Sequence, residues 1–269
     1  MFKKSKQLIN KFLRTQNYEI KQIKRQKEKI QVIKRPITNI ESLSKLIFYR
    51  DTNIVFKVPI QKSIYGSCFF LSTVENPMSL YLKYKNKKIL KNFYERFRPN
   101  NLIDALKISN LTRSKPSTPL VNDLLKYNAK QNFRGIYTLG FNKNDGHILN
   151  GPISERLLNF EYNRIDNLYE SIKTNGWKPK KFKTGFIRGI FLIHKKKFLF
   201  HIIGGNHRAA VMSSLKSRYL ECWFQPNEPR FVSSNFFKKN SKELKLFKLY
   251  FDNNLKKKRK KFVINLLNN

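Results

Sequence analysis

The sequence predicts an α+β fold, and three stretches carry that prediction. Ile54, Phe56, Val58 and Ile60 recur at period two, the pattern of a half-buried strand. Leu157, Leu158, Ile165, Leu168 and Ile172 recur at helical spacing behind Ser154, a residue suited to cap a helix start. Phe200 to Ile203 form a short apolar run that enters Gly204-Gly205 and then residues suited to a helix: Asn206 as its cap, followed by Ala209, Ala210, Val211, Met212 and Leu215.

The remaining elements follow in order. Residues 1–35 are rich in Lys and Arg, and Phe2, Leu8, Ile9, Phe12 and Leu13 make only a weak stripe, so a solvated arm is expected. Residues 64–74 suit a second strand. Asn76-Pro77 reads as a cap and first helical position, and Met78, Leu82, Ile89, Leu90, Phe93, Tyr94 and Phe97 extend that helix until Pro99. Residues 102–108 make a shorter helix. Arg113-Ser114-Lys115-Pro116-Ser117-Thr118-Pro119 is linker-like. Residues 136–141 suit a strand, residues 142–146 a turn, and His147 reads as a surface turn residue. The helix behind Ser154 ends at Asn175-Gly176, with Pro179 beyond. Residues 186–193 and 197–203 form a hairpin around His194-Lys195-Lys196, and 219–224 another strand. Pro226 and Pro229 mark a loop, residues 241–255 a helix, and residues 256–261 an unbroken basic run. The expected division is a basic arm (1–35), an α/β region (36–112), a linker (113–130), a motif-bearing domain (131–230) and a basic C-terminal helix (231–269).

The formal net charge is +39, from 56 basic and 17 acidic residues. Lys, Asn, Ile and Phe are all abundant, as a coding bias would make them, but such a bias should raise Glu too, and Glu is scarce. The charge is therefore physical and points to a polyanionic partner: nucleic acid foremost, an anionic membrane surface or an acidic glycan. No run approaches the ~20 apolar residues of a membrane span. No secretory leader is expected, so a cytoplasmic location and reduced thiols are expected for Cys68 and Cys222. The two cysteines offer no metal-ligand spacing.

A strand that turns through glycines into a helix start aims backbone N–H groups and the positive end of the helix dipole at one spot, which favours phosphate. Gly204, Gly205 and Asn206 form that turn. Arg208 can add a forked donor, and His207 can donate, accept or shuttle a proton. Glu161 and Arg164 share a helix face and can supply a carboxylate and a cation, although such spacing more often marks a surface salt bridge.

The stretch from Gly204 to Val211 resembles the nucleotide-binding box of the ParB/sulfiredoxin-like superfamily. Leu168 to Pro179, with its Ser171-Ile172 and Gly176, looks like that family's preceding element. The resemblance spans roughly residues 145–225. It implies a compact mixed α/β domain, preceded here by an α/β region and followed by a basic helix. It also implies a nucleoside triphosphate (ATP or CTP), with magnesium, at the glycine turn. Sulfiredoxins carry a nucleophilic cysteine where this chain has Asn206, so sulfur repair is excluded. ParB proteins carry Glu-Arg where this chain has Asn206-His207. Kinase-like relatives carry an aspartate where this chain has Gly204, and phosphoryl transfer would then need Glu161 or Asp166 to help hold magnesium. The residues after the motif helix do not read as the family's helix-turn-helix DNA reader. Two expectations result: a nucleotide- or phosphate-binding protein whose basic surface meets a polyanion, or a small-molecule kinase or nucleotide hydrolase using His207 and Arg208.

Overall fold

Strand pairing brings the two halves of the chain together. The computed structural model describes residues 30–46, 49, 52–72, 74–115, 140–179, 185–226 and 230–268. The expected arm up to residue 29, the linker beyond residue 115, and residues 136–139 of the expected strand lie outside these. Strand β1 (Ile30–Val32) is followed by helix α1 (Ile40–Ser44), then β2 (Asn53–Pro59) and β3 (Ser63–Ile64). Helices α2 (Pro77–Tyr84), α3 (Lys87–Arg96) and α4 (Leu102–Lys107) come next, then the long α5 (Glu155–Asn175). Strands β4 (Arg188–His194) and β5 (Lys197–Gly204) precede α6 (Asn206–Ser214), β6 (Tyr219–Phe224) and β7 (Phe231–Ser233). Helices α7 (Lys242–Leu249) and α8 (Asn253–Ile264) close the chain.

One sheet has the order β1-β2-β6 and the other β3-β5-β4-β7. β2 runs antiparallel to β6, and β3 runs parallel to β5. Residues 53–64 are therefore woven into the strands of residues 197–224. Residues from Gln31 onward make one compact unit, so the expected division near residue 113 does not separate two bodies. The physical reason is that β2 has buried residues on both faces, and β6 supplies its ladder partners. Phe56 is fully buried between the sheets, with ring centroids 4.6 Å from Phe224, 5.7 Å from Phe191 and 6.0 Å from Phe200. Burying one such ring contributes about 2–3 kcal/mol.

Several local expectations hold. Asn76 caps α2 through the amides of Met78 and Ser79, with Pro77 first in the helix. The Ser154 hydroxyl accepts from the Leu157 amide at the start of α5. β4 and β5 form the expected hairpin. Both cysteines are buried free thiols. No helix among the described residues is long and apolar enough to cross a membrane.

Others are corrected. The strand expected over 64–74 ends at Ile64, because the chain turns at Gly66 and Cys68, the latter at φ 71°. The helix expected to run from residue 77 to Pro99 breaks at Lys85, which is left-handed, and restarts behind Asn86, whose side chain accepts from the Lys88 amide. The helix expected over 241–255 breaks likewise before Asp252, which caps α8. The basic run lies inside α8, and one member is not at the surface: Arg259 is 2 % exposed and donates to the Leu106 carbonyl at 2.6 Å.

His201 sits buried on β5 beside the Tyr250 ring, and its Nδ1 has no hydrogen-bond partner among the described residues. Burial pushes its pKa down to about 4 from the ordinary 6.5. The unfolded chain then binds more protons between those values, so stability falls as pH drops through that window. The loss reaches roughly 3 kcal/mol near pH 4. Urea denaturation of His201→Phe against wild type between pH 7 and 4 checks this: the variant is expected to have the shallower acid limb.

Candidate functional site

β5 holds its ladder to β4 as far as Gly204, which pairs with Arg188. The register slips between Arg188 and Gly189, which pairs with Ile202, so Ile203 is left over as a bulge. The bulge delivers Arg188 beside the glycine bend. A methyl group built on Gly204 would lie 3.4 Å from Arg188 Nε. Because the strand persists through Gly204, the reversal falls on Gly205, at φ 84° and ψ 26°. A glycine takes that conformation without strain.

Gly205, not Asn206, is therefore the N-cap of α6, which corrects the sequence expectation. Asn206 becomes the first helical residue. Its Oδ1 is turned outward to accept the Gly66 amide at 3.0 Å, tying the motif to the β3 turn. Three successive amides, those of Asn206, His207 and Arg208, start the helix ahead of its first internal bond, Ala209 to Gly205. Arg208 folds back over the bend: its Nη2 and Nε lie 3.1 and 3.2 Å from the methyl position of Gly205. Gly204, Gly205 and Arg208 are all half-buried, so packed side chains do not seal the bend from solvent.

Glu161 approaches from α5. It is fully buried, and its Oε2 lies 2.5 Å from Nε2 of buried His207. Its Oε1 accepts from Arg164 Nη1 at 3.4 Å. Burial alone would raise the Glu161 carboxyl; the charges and hydrogen bonds of His207 and Arg164 outweigh it and hold the group below the usual carboxylate range. The sequence spacing allows either a site pair or a surface salt bridge; Glu161, one partner, is entirely inside the protein. His207 lies in the first turn of α6, yet its ring points inward to α5.

Burial, and then the like charges of Arg164 and Arg188, push Arg208 down to about 10. Arg208, at the positive end of α6, thus feels the charges of both Arg164 and Arg188. His147, expected at the surface, is instead 3 % exposed and is pushed down to about 4 by burial. Its Nδ1 faces the Leu149 amide at 3.3 Å. The loop carrying it is locked by Asp145, which accepts from Arg156 at 2.6 Å, Ser154 at 2.8 Å and the Asn142 amide at 2.9 Å. Asp166 lies on the same helix but is engaged elsewhere, accepting from the Tyr81 hydroxyl at 2.7 Å and Lys85 at 3.1 Å. Sequence reasoning missed Arg188 and Gly66. A bulge and a contact across 140 residues leave no local signal.

No family model, curated protein or solved structure matches this chain.

Two substitutions test the site's construction. Glu161→Gln removes the buried carboxylate that meets His207 and Arg164, and is expected to cost on the order of 3 kcal/mol in urea denaturation. Gly205→Ala places a side chain at a left-handed φ, about 3.2 Å from both the Arg208 guanidinium and Ile187, and is expected to cost roughly 1–2 kcal/mol.

Proposed function

We propose that this protein binds a phosphate-bearing ligand, a nucleoside triphosphate such as ATP or CTP, at the Gly204-Gly205 bend, and that its basic surface contacts a polyanion, foremost nucleic acid. One observation carries the reading: Arg208 lies folded over a left-handed glycine at the positive end of α6, with Arg164 and Arg188 near enough to repel it. A phosphate among these groups would relieve the repulsion, accept the first-turn amides and receive a bidentate guanidinium. The likeness of Gly204 to Val211 to the ParB/sulfiredoxin-like box supports the same ligand. Magnesium, if it accompanies the nucleotide, would be held chiefly by the phosphates, because both Glu161 oxygens face His207 and Arg164. An anionic membrane surface or an acidic glycan is the alternative polyanion. We place the protein in the cytoplasm, where the two buried cysteines remain thiols.

The Glu161–His207 contact favours a second reading, a small-molecule kinase or nucleotide hydrolase. A carboxylate fixing one ring nitrogen of a histidine sets its tautomer and supports acid–base work. His207 would then move a proton while Arg208 holds the transferring phosphate.

A thermal-shift series with inorganic phosphate, ATP and CTP, each with and without magnesium, tests both readings. At about 100 times its dissociation constant a ligand adds ~2.7 kcal/mol of stability. Wild type is expected to shift and Arg208→Ala not to shift. No shift with any of these, or an equal shift in the variant, contradicts the proposal. Phosphate release that His207→Ala abolishes would select the enzyme reading.

A further inference from the structure

We infer that single-stranded nucleic acid lies along a track crossing the turn at Ile60–Lys62, where two hollows flank the turn and six cations line them. This rests on the polyanion half of the proposal above and gives it a place. One hollow, of about 540 Å³, is lined by Lys216 and Arg218. The other, of about 240 Å³, is lined by Lys196, Lys197 and Lys256. Gln61 and Lys62 line both, so the hollows flank the same turn.

Glu75 Oε1 lies 4.0 Å from Lys256 Nζ, and the one carboxylate lining the two hollows themselves is Asp252. Its Oδ1 accepts the Asn254 and Leu255 amides at 2.8 and 3.2 Å, so its charge is directed to the start of α8. Two cations are held in place by rings beneath them: Lys62 Nζ sits 4.3 Å over Phe198, and Lys256 Nζ 4.2 Å over Phe70. Lys62 also donates to the Thr38 carbonyl at 2.7 Å. Cations fixed in a row lose little freedom when phosphates arrive.

The shape selects the partner. A lipid surface is broad, whereas these cations line two recessed hollows beside one turn. Tyr219 is 37 % exposed at one lip and offers a face for a base to stack on. α6 links the two sites: the helix starts at the glycine bend, and Ser213, near its other end, lines the larger hollow.

The test is fluorescence anisotropy of a labelled oligothymidine of about 15 nucleotides with the full-length protein. Lys197→Ala/Arg218→Ala removes one cation from each hollow. Lys88→Ala/Lys173→Ala removes the same charge from exposed positions off the track. The groove pair is expected to weaken binding about tenfold and to reduce the slope of log K against log salt by about 1.4, while the control pair leaves the slope unchanged. Equal losses in both pairs overturn the groove, as does an unchanged slope in the first. A duplex, a phosphatidylserine vesicle or heparin that binds as tightly and with the same dependence on Lys197 and Arg218 overturns single-stranded nucleic acid as the occupant. Melting curves verify folding of each variant. The nucleotide-induced melting shift is read in Arg208→Ala, which retains the groove, so the two proposals fail separately.

Discussion

The Glu161 carboxylate is the constraint around which this protein is arranged. A fully buried carboxylate is tolerable only when paired, and both of its oxygens meet nitrogen donors. One partner is its neighbour on α5. The other is His207, in the first turn of α6. The pair therefore fixes where the start of α6 lies against the longest helix of the described residues. It also turns His207 inward and leaves Arg208, the next residue, over the glycine bend.

That bend is held from three other directions. β4 pairs with β5 up to Gly204 and brings Arg188 with it. Gly66, at the β3 turn, donates to Asn206. α2 leans on the far side of α6, where Ser79 donates to the Ala210 carbonyl at 3.1 Å. These contacts fix the bend within the fold, so the phosphate proposed for it would meet groups already held in place. The Glu161 contact also sets a counter-charge beside Arg164, one of the two guanidiniums whose charge reaches Arg208.

Much of the fold was legible because its signals are local. Caps at Asn76 and Ser154, the period-two run of β2 and the β4–β5 hairpin are written in adjacent residues. The breaks were less visible. Nothing near Lys85-Asn86 is a glycine or proline, and only the cap made by Asn86 ends one helix and starts the next. The candidate site was half legible. The glycine turn and Arg208 could be read in sequence. The burial of Glu161 could not, since its partner lies 46 residues away. Arg188 depends on a one-residue bulge, and His147 on packing of a loop whose composition looks exposed. Two halves that read as separate regions are joined by strand pairing, which period and composition do not report.

On the proposed function, the amides at the start of α6, backed by Arg208, receive a phosphate. Backbone amide NMR during titration with inorganic phosphate and then ATP tests it most directly. The largest shifts are expected on the amides of Gly205, Asn206, His207 and Arg208, saturating together. Shifts that spread over surface lysines without saturating, and that leave those four amides unmoved, would contradict it.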